Sequence, residues 1–268
     1  MTHALGLLGP IGLASAHPYS DDAGVVADEA RHAENLGFAT LWRSGNLPML
    51  EAAVRATESI PVATGIVPVS AVPAADVVAT YRSVDSGRFI VGLGGARDAH
   101  PLVTLNSYLD DLDTAGVAAS SRVLAALGPN MLALARDRAQ GAYPYLVTPS
   151  YVADARTTLG DDRLLSVLSI VIPVTDRQRA RRVAAEPLNF LASSGGYRRN
   201  LLRQGFSESD IDDVSDKLLD GIAAWGSVAD IAARVAEYRA AGADQVVLRI
   251  LGVDDLRAWR ERLAAALI

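Results

Sequence analysis

The sequence contains no cysteine. This absence excludes disulfide bonds, iron–sulfur clusters and every site that needs a thiolate as metal ligand or nucleophile. Any redox chemistry must therefore come from an organic cofactor. Lysine is nearly absent as well: Lys217 is the single lysine among 25 basic residues, and it lies in the polar run 212–220, which is typical of a solvated helix face. Chemistry that forms a Schiff base on lysine is therefore not expected.

The sequence also lacks a cluster of Lys and Arg residues, and its net charge of −6 is spread along the chain. Nucleic acids and anionic membranes are therefore not expected as partners. No apolar run reaches the ~18 residues that would indicate a membrane span. Residues 1–20 carry no basic segment ahead of an apolar one, as a signal peptide would. We expect a cytoplasmic protein that acts on a small-molecule substrate, either as a monomer or as a homodimer.

Half of the residues are hydrophobic and 21% are charged, so the chain can bury a large core. Its clearest pattern is an alternation of short apolar or β-branched runs with longer amphipathic ones. Strands are predicted at residues 5–8, 39–42, 61–67, 88–93, 122–127, 143–147, 166–172 and 245–250. Helices are predicted at residues 21–35, 48–59, 74–85, 101–115, 129–140, 148–159, 227–241 and 254–266, with further helical segments at 176–191, 196–203 and 208–219.

Eight strand-then-helix units favour a parallel (β/α)8 TIM barrel, because parallel strands are buried on both faces and need not alternate polar and apolar residues. The extra helices would lie between strands 7 and 8. An open, doubly wound sheet is the alternative architecture. No linker rich in Pro, Gly or Ser interrupts the pattern, so residues 1–268 are interpreted as a single domain.

In such a barrel the active site is built by the loops that follow the strands. Two of these loops predict a surface for a planar ring. Glycines that would let a ring approach the backbone closely follow the fourth predicted strand: Gly92, Gly94 and Gly95. Residues that could form a supporting bulge end and follow the third predicted strand: Val67, Pro68 and Val69. A tight turn and an ordinary loop are the respective alternatives.

The helix after the fifth predicted strand begins with Gly128, Pro129, Asn130 and Met131. No acidic residue lies in this first turn, so its free N–H groups favour an anion, and Asn130 adds a side-chain donor. A cofactor phosphate would fit there. An ordinary Gly-Pro helix start is the alternative explanation.

Four further residues are candidates for the catalytic machinery. His17 and His100 fall in predicted strand-to-helix loops and are the acid/base candidates. Trp42 and Arg43 lie at the end of the second predicted strand, where Trp42 is alternatively a core aromatic. His32 is expected on a solvated helix face. The spacing of the histidines matches no metal motif, and no metal site is predicted.

Several segments together resemble the luciferase-like monooxygenases. These are residues 27–30, 36–42, 63–68 and 86–94. Other segments are most similar to a subgroup of that family whose members depend on coenzyme F420: residues 108–113, 127–129, 134–139 and 141–145. The match extends over nearly the whole chain.

The resemblance implies a TIM barrel that binds a deazaflavin, coenzyme F420, or alternatively FMN. It implies an oxidoreductase that transfers a hydride to or from a small organic substrate. In the family the ring lies against the bulge after the third strand, which corresponds to residues 67–69, and beside the glycines of residues 92–95. The phosphate side corresponds to residues 128–131. These positions agree with those chosen from the residues themselves.

The chain departs from the family just after the second strand. Many relatives carry an acidic residue or a histidine there as part of the acid/base machinery, whereas this chain has Arg43, Ser44 and Gly45. Two alternatives to an F420-dependent enzyme therefore stay open: a barrel that binds a cofactor without catalysis, and an FMN-dependent monooxygenase. Because a deazaflavin does not readily activate oxygen, the identity of the cofactor separates the two enzymatic interpretations.

Overall fold

The computed structural model of the chain describes residues 8–84, 87–96, 98–193 and 195–268. Parallel strands in these ranges are β1 (Ile11–Ala14), β2 (Leu41–Arg43), β3 (Val62–Thr64), β4 (Val67–Pro68), β5 (Phe89–Gly94), β6 (Arg122–Leu124), β7 (Gly141–Ala142), β8 (Leu164–Ile172), β9 (Ala223–Trp225) and β10 (Gln245–Ile250). A closed ring of eight strands runs in the order β1, β2, β3, β5, β6, β7, β8, β10. The predicted (β/α)8 barrel is confirmed.

The barrel closes through β10, which pairs with strands on both of its sides. Val246 lies opposite Ile11 of β1, and Gln245 lies opposite Ser166 of β8. Two short strands extend the ring at its carboxyl end: β4 pairs with β5, and β9 pairs with the last residues of β8.

Helices cover the outside of the ring. Their bounds are α1 (Ala23–Asn35), α2 (Leu47–Arg55), α3 (Ala74–Ser83), α4 (Pro101–Thr114), α5 (Pro129–Arg138), α6 (Pro149–Leu159), α7 (Arg177–Ala192), α8 (Gly195–Arg203), α9 (Glu208–Asp212), α10 (Asp216–Ile222), α11 (Val228–Ala240) and α12 (Leu256–Leu267). Helices α7 to α10 are the extra helices predicted between the seventh and eighth barrel strands. Within the described ranges, no helix is long and apolar enough to cross a membrane.

Helix starts follow local chemistry. Asp22 caps α1 by accepting hydrogen bonds from the backbone N–H groups of Gly24 and Val25, and Thr148 caps α6. Ser227 and Asp230 form a capping box at the start of α11. These side chains satisfy backbone donors that would otherwise lack a partner.

The first barrel strand lies later in the chain than predicted. The prediction places the first strand at residues 5–8, of which 5–7 lie outside the described ranges, whereas the first strand of the ring is β1, Ile11–Ala14. Gly12 explains the difference. In sequence it resembles a turn residue, but in the barrel a Cβ at this position would lie 2.5 Å from Thr40 Oγ1. Glycine is needed inside this strand because the neighbouring side chain takes its space.

Two other elements differ from the prediction. The sixth barrel strand is Gly141–Ala142 rather than residues 143–147, because the backbone of Gly141 packs so closely on β8 that a Cβ would lie 1.8 Å from Leu164 O. The helix predicted at residues 208–219 is split into α9 and α10 at Val214, which has a positive φ of 47°. Ser215 then caps α10.

The described residues form three apolar clusters. The main one lies between the strands and the outer helices. A second fills the barrel interior, and its buried members are Trp42, Ala63, Ile90, Val123, Tyr143, Leu164 and Val247. The third joins the end of β8 to α7, α8, α9 and α10. The extra helices therefore cover one side of the carboxyl end of the barrel.

Candidate active site

The barrel interior ends in an aromatic floor. Trp42 stacks on Tyr143, with ring centroids 3.9 Å apart and planes 7° apart. Trp42 Nε1 donates to Thr40 Oγ1 (2.9 Å) and to Gln245 Oε1 (3.1 Å). Gly65 lies against this stack, since a Cβ there would be 3.2 Å from Tyr143 Cε1. Trp42 is 2% exposed, so it supports the site from below and is not part of the rim.

The segment after β3 turns toward β5. The peptide bond between Gly65 and Ile66 is cis, and β4 then pairs with the end of β5. Val69 N donates to Gly94 O (2.8 Å). The structure thus brings the predicted supporting residues and the predicted glycines together at one edge of the barrel: Val67, Pro68, Val69, Gly92, Gly94 and Gly95.

The three glycines differ in their surroundings. Gly92 packs against β3: a Cβ would lie 1.8 Å from Thr64 O, and Gly92 N donates to Thr64 Oγ1 (2.7 Å). Gly94 is covered by Ile66, whose Cδ1 would lie 2.7 Å from a Cβ. Gly95 has a φ of +71°, a conformation that favours glycine. Gly92 is therefore a packing residue, whereas Gly94 and Gly95 border the site.

A shelf of half-buried residues follows the neighbouring strands β4, β5 and β6. We define this shelf as Ile66, Pro68, Gly95, Ala96, Ala125, Leu127 and Gly128. Each member has a small or apolar side chain, or no side chain at all. Binding sites for small molecules are usually lined in this way, with a few polar groups that fix orientation. The shelf offers an apolar surface with backbone amides nearby.

The amino end of α5 lies beside the shelf. Gly128 is the N-cap residue, no side chain caps the helix, and the first turn has no acidic residue. Pro129 and Asn130 are exposed. Arg203 of α8 brings a positive charge there, because its Nη2 lies 3.5 Å from where a Cβ on Gly128 would be. Arg203 Nη2 also donates to the buried Asn200 (3.0 Å to Oδ1). Both features favour an anion.

The histidines lie in different surroundings. His17 is exposed after β1, and His100 is exposed at the N-cap of α4. β2 and β3 lie between β1 and β5 in the ring, so the two loops are not neighbours. The expectation of a solvated His32 is wrong: it is 7% exposed, and burial together with the charges of Arg257 and Arg260 lowers its pKa.

A buried ionic network lies behind the end of β2. Glu29 of α1 accepts hydrogen bonds from Arg43 Nη1 (2.8 Å to Oε2) and from Ala16 N (2.9 Å to Oε1). Ser15 Oγ and Arg260 Nη2 also donate to Glu29. The side chains of Glu29 and Arg43 are 2% and 1% exposed. One carboxylate thus balances two buried guanidinium groups.

The protonation states in this network are fixed by its geometry. Burial by itself would raise the pKa of Glu29, but the charge of Arg260 and the hydrogen bonds from Ser15 and Ala16 hold that pKa below its ordinary value. Burial lowers the pKa of Arg43, and the charge of Glu29 opposes that effect. Arg43 Nη2 also donates to His17 O (3.2 Å). Arg43 therefore fixes the position of the loop after β1.

A second positive group lies inside the mouth, on β10. Arg249 is two residues after Val247 of the interior cluster, and its Nη1 donates to Tyr145 OH (3.3 Å). Its guanidinium carbon is 5.7 Å from the ring centre of Tyr145, which packs edge-on against Tyr197. Burial raises the pKa of Tyr145, with Arg249 acting in the opposite direction. The phenol stays protonated at neutral pH.

The sequence interpretation did not include Glu29, Arg203 or Arg260. A usable signal existed for Glu29, because it falls on the same helical face as the apolar residues Val26 and Ala30. A charged residue within a buried stripe needs a partner. No local signal identifies the partners, since Arg260 is 231 residues away in the chain.

Comparison with known proteins gives structural matches only. No protein-family profile matches the sequence, and no curated protein is significantly similar to it. An F420-dependent secondary alcohol dehydrogenase in complex with an F420–acetone adduct is similar over 97% of this chain and 99% of that chain, with 14% identity and a TM-score of 0.73.

Two further solved structures have the same fold. The coenzyme F420-dependent tetrahydromethanopterin reductase from Methanopyrus kandleri has 15% identity and a TM-score of 0.74, over 97% of this chain and 98% of that chain. The oxygenating constituent of 3,6-diketocamphane monooxygenase from Pseudomonas putida, in complex with FMN, has 14% identity and a TM-score of 0.65, over 96% of each chain. The predicted resemblance to the luciferase-like group is confirmed at the level of the fold.

Proposed function

We propose that the protein is an F420-dependent oxidoreductase that transfers a hydride to or from a small organic substrate. The observation that carries this proposal is the shelf beside the amino end of α5. An apolar surface for a ring and an uncapped helix start for a phosphate lie next to each other there. The fold shared with two F420-dependent enzymes agrees with the proposal.

The residues of the site fit such a cofactor. The shelf has no charged member, which suits a flat, largely apolar ring. The backbone N–H groups at the start of α5 and the guanidinium of Arg203 suit a phosphate. The residues that would hold the ring are Val67, Pro68, Val69, Gly94 and Gly95, and those that would hold the phosphate are Gly128, Pro129, Asn130, Met131 and Arg203. When bound, the cofactor supplies the hydride donor or acceptor.

The residues of the chain supply the remaining chemistry. Tyr145 keeps its proton at neutral pH and lies beside Arg249, so it can donate a hydrogen bond to an oxygen of the substrate. His17 and His100 are exposed on loops that follow barrel strands, and we keep them as the acid/base candidates. Arg43 stays ion-paired to Glu29, and Trp42 forms the floor. We assign these two residues to positioning.

FMN is the second candidate cofactor. The similarity to an FMN-bound monooxygenase component favours it, since that protein covers the same length of chain. The apolar shelf suits the ring of either cofactor, and the uncapped start of α5 suits the phosphate of either cofactor. Oxygen chemistry would follow from FMN and not from a deazaflavin.

Equilibrium titration tests the proposal. Purified protein is titrated with F420 and, separately, with FMN, while the fluorescence of each cofactor is followed. We expect F420 to bind in the micromolar range and FMN to bind more weakly. If neither signal changes at about 100 μM, a concentration that detects a binding free energy of about −5.5 kcal/mol, the cofactor-dependent function is refuted.

A pair of variants locates the binding surface. Ala125→Leu adds bulk to the shelf, and it should weaken binding of F420 by at least about tenfold. Ala153→Leu makes the same change on an exposed position of α6 and should bind F420 like the wild type. Equal affinities in the two variants would show that the ring does not lie on the shelf.

A further inference from the structure

A separate cavity of 140 Å³ lies at the rim of the barrel, between the ends of β1 and β10 and the start of α12. It is lined by Leu13, Ala14, Ser15, Ala16, Pro18, Arg249, Ile250, Leu251, Leu256 and Arg260. A water molecule occupies about 30 Å³ in the liquid, so the cavity has room for a carboxylate or a phosphate group. It is on the opposite side of the ring from α5, because β6 is the fourth strand from β1.

Positive charge around this cavity exceeds negative charge. Arg249 and Arg260 line it, and Arg43 lies behind Ser15, to whose Oγ it donates (2.9 Å). Within the described ranges, Glu29 is the carboxylate that pairs with Arg43 and Arg260, and no acidic side chain pairs with Arg249. Three guanidinium groups therefore face one carboxylate.

Glu29 has no remaining capacity to balance the third charge. One of its oxygens accepts from Arg43 and Ser15, and the other accepts from Arg260 and the backbone of Ala16. Arg249 is half-buried, and a cation at the edge of a cavity attracts an anion more strongly than a cation in bulk water does. The surplus charge at this cavity therefore favours a negative ligand.

Arg260 supplies a second, independent observation. The residue is 6% exposed and lines the cavity, while its Nη2 donates to Glu29. Its Nε is buried without a hydrogen-bond partner within the described part of the chain, so the protein does not fully satisfy this buried cation. The start of α12 adds nothing to this site, because Asp255 already caps it.

We propose that this cavity is a subsite for an oxyanion, a carboxylate or a phosphate group of a bound ligand, held by Arg249 and Arg260. The proposal deepens the proposed function and rests on it for one point: the ligand is the substrate. Arg249 connects the cavity to the barrel mouth, since it also contacts Tyr145. A substrate with an anionic group here would place the rest of its body near the phenol.

The first test measures anion binding by the cofactor-free protein. Inorganic phosphate and acetate are the probes, and isothermal titration calorimetry gives their dissociation constants. Arg249→Gln removes a charge without breaking an ion pair, and Leu256→Phe fills the cavity while keeping every arginine. Arg257→Gln is the matched control, because Arg257 is exposed on the same helix and pairs with Glu261.

The outcomes separate clearly. Millimolar binding of at least one anion, weakened about tenfold or more in Arg249→Gln and Leu256→Phe and by less than about twofold in Arg257→Gln, supports the subsite. No binding at about 50 mM, binding that persists in either cavity variant, or an equal loss in the control overturns it.

The second test identifies which ligand carries the anion. F420 is titrated with and without the anion at a saturating concentration, both in the wild type and in Arg249→Gln. Unchanged affinity for F420, or equal competition in the two proteins, which would then arise at the start of α5, assigns the cavity to the substrate. Competition that Arg249→Gln abolishes assigns the cavity to the phosphate of the cofactor and overturns the substrate assignment. This design also separates the proposals: anions that bind while F420 does not refute the cofactor proposal and leave the subsite intact.

Discussion

Glu29→Gln should be among the more destabilising conservative substitutions in the chain. The variant keeps the size and the acceptor oxygen of the side chain but removes the charge that balances Arg43 and Arg260. Both arginine side chains are nearly inaccessible, at 1% and 7% exposed. Removing one partner of a buried ion pair costs about 3–5 kcal/mol, because the remaining charge stays desolvated. The amide keeps one acceptor oxygen but replaces the other with an NH2 group that faces donors, so we expect a loss of at least about 3 kcal/mol.

Equilibrium unfolding in urea measures this loss directly. A change of about 3 kcal/mol should also lower the melting temperature by roughly 6–12 °C in a domain of this size. Glu51→Gln is the matched control: it breaks the pair with Arg55 on the surface of α2, where the side chains are 30% and 67% exposed. Exposed pairs contribute at most about 1 kcal/mol. If Glu29→Gln cost no more than the control, the network would not be balancing buried charge.

The same network predicts how the free energy of unfolding falls at low pH. The pKa of Glu29 in the folded protein is below its ordinary value of 4.5. Its stabilisation is therefore fully present above about pH 4.5 and is lost as the pH falls through the folded-state pKa. Glu29→Gln should remove that part of the pH dependence, and the wild-type and variant unfolding free energies should converge as the pH is lowered.

Three other perturbations follow from the structure. Asn130→Asp should weaken the binding of F420 about tenfold, because the new negative charge repels the phosphate, while the melting temperature stays the same or rises. Unchanged affinity in a fluorescence titration would exclude the start of α5 as the phosphate site. The pKa of His32 is below its ordinary value of 6.5, so the free energy of unfolding should fall as the pH drops below about 6.5. A His32→Gln variant with the same slope of unfolding free energy against pH would contradict this. Gly92→Ala should lower the free energy of unfolding in urea by about 3 kcal/mol or more, because the added Cβ would collide with Thr64 O. Gly196→Ala, which has open space around it, should leave that free energy unchanged. Equal losses in the two variants would refute the packing role of Gly92.

The fold was predictable where the composition of a segment is enough to identify a strand. β10 matches the predicted residues 245–250, because most of the strand is buried and four of its six side chains are apolar. The prediction failed at β1 and β7, which contain Gly12 and Gly141, whereas the apolar residues on both sides of Gly92 kept β5 recognisable. Sequence reasoning treats glycine as a turn signal, and only the neighbouring side chain or backbone shows that no Cβ would fit.

The candidate site also contains parts that the sequence predicts and parts that it does not. The shelf and the start of α5 consist of short contiguous segments after strands, and their order along the chain is enough to locate them. The ionic network and the rim cavity are different, because Glu29, Arg43 and Arg260 lie on three separate elements and Arg260 is 231 residues from Glu29. Nothing in their local sequence specifies that they meet. Sequence reasoning therefore identified the segments that we propose for the cofactor and missed the charged groups around them.

The surroundings of Arg43 follow from that charge. A buried positive side chain at the end of β2 needs a counter-ion, and Glu29 provides it from α1. Glu29 is then shared with Arg260, which leaves Arg249 unbalanced at the mouth. On the opposite side of the ring, Arg203 and the start of α5 are also positive. Although the chain as a whole has a net charge of −6, its barrel mouth carries positive charge on both sides. Such a field favours two anionic groups bound at once, which is the arrangement expected if a phosphorylated cofactor and an anionic substrate meet over Trp42 and Tyr143.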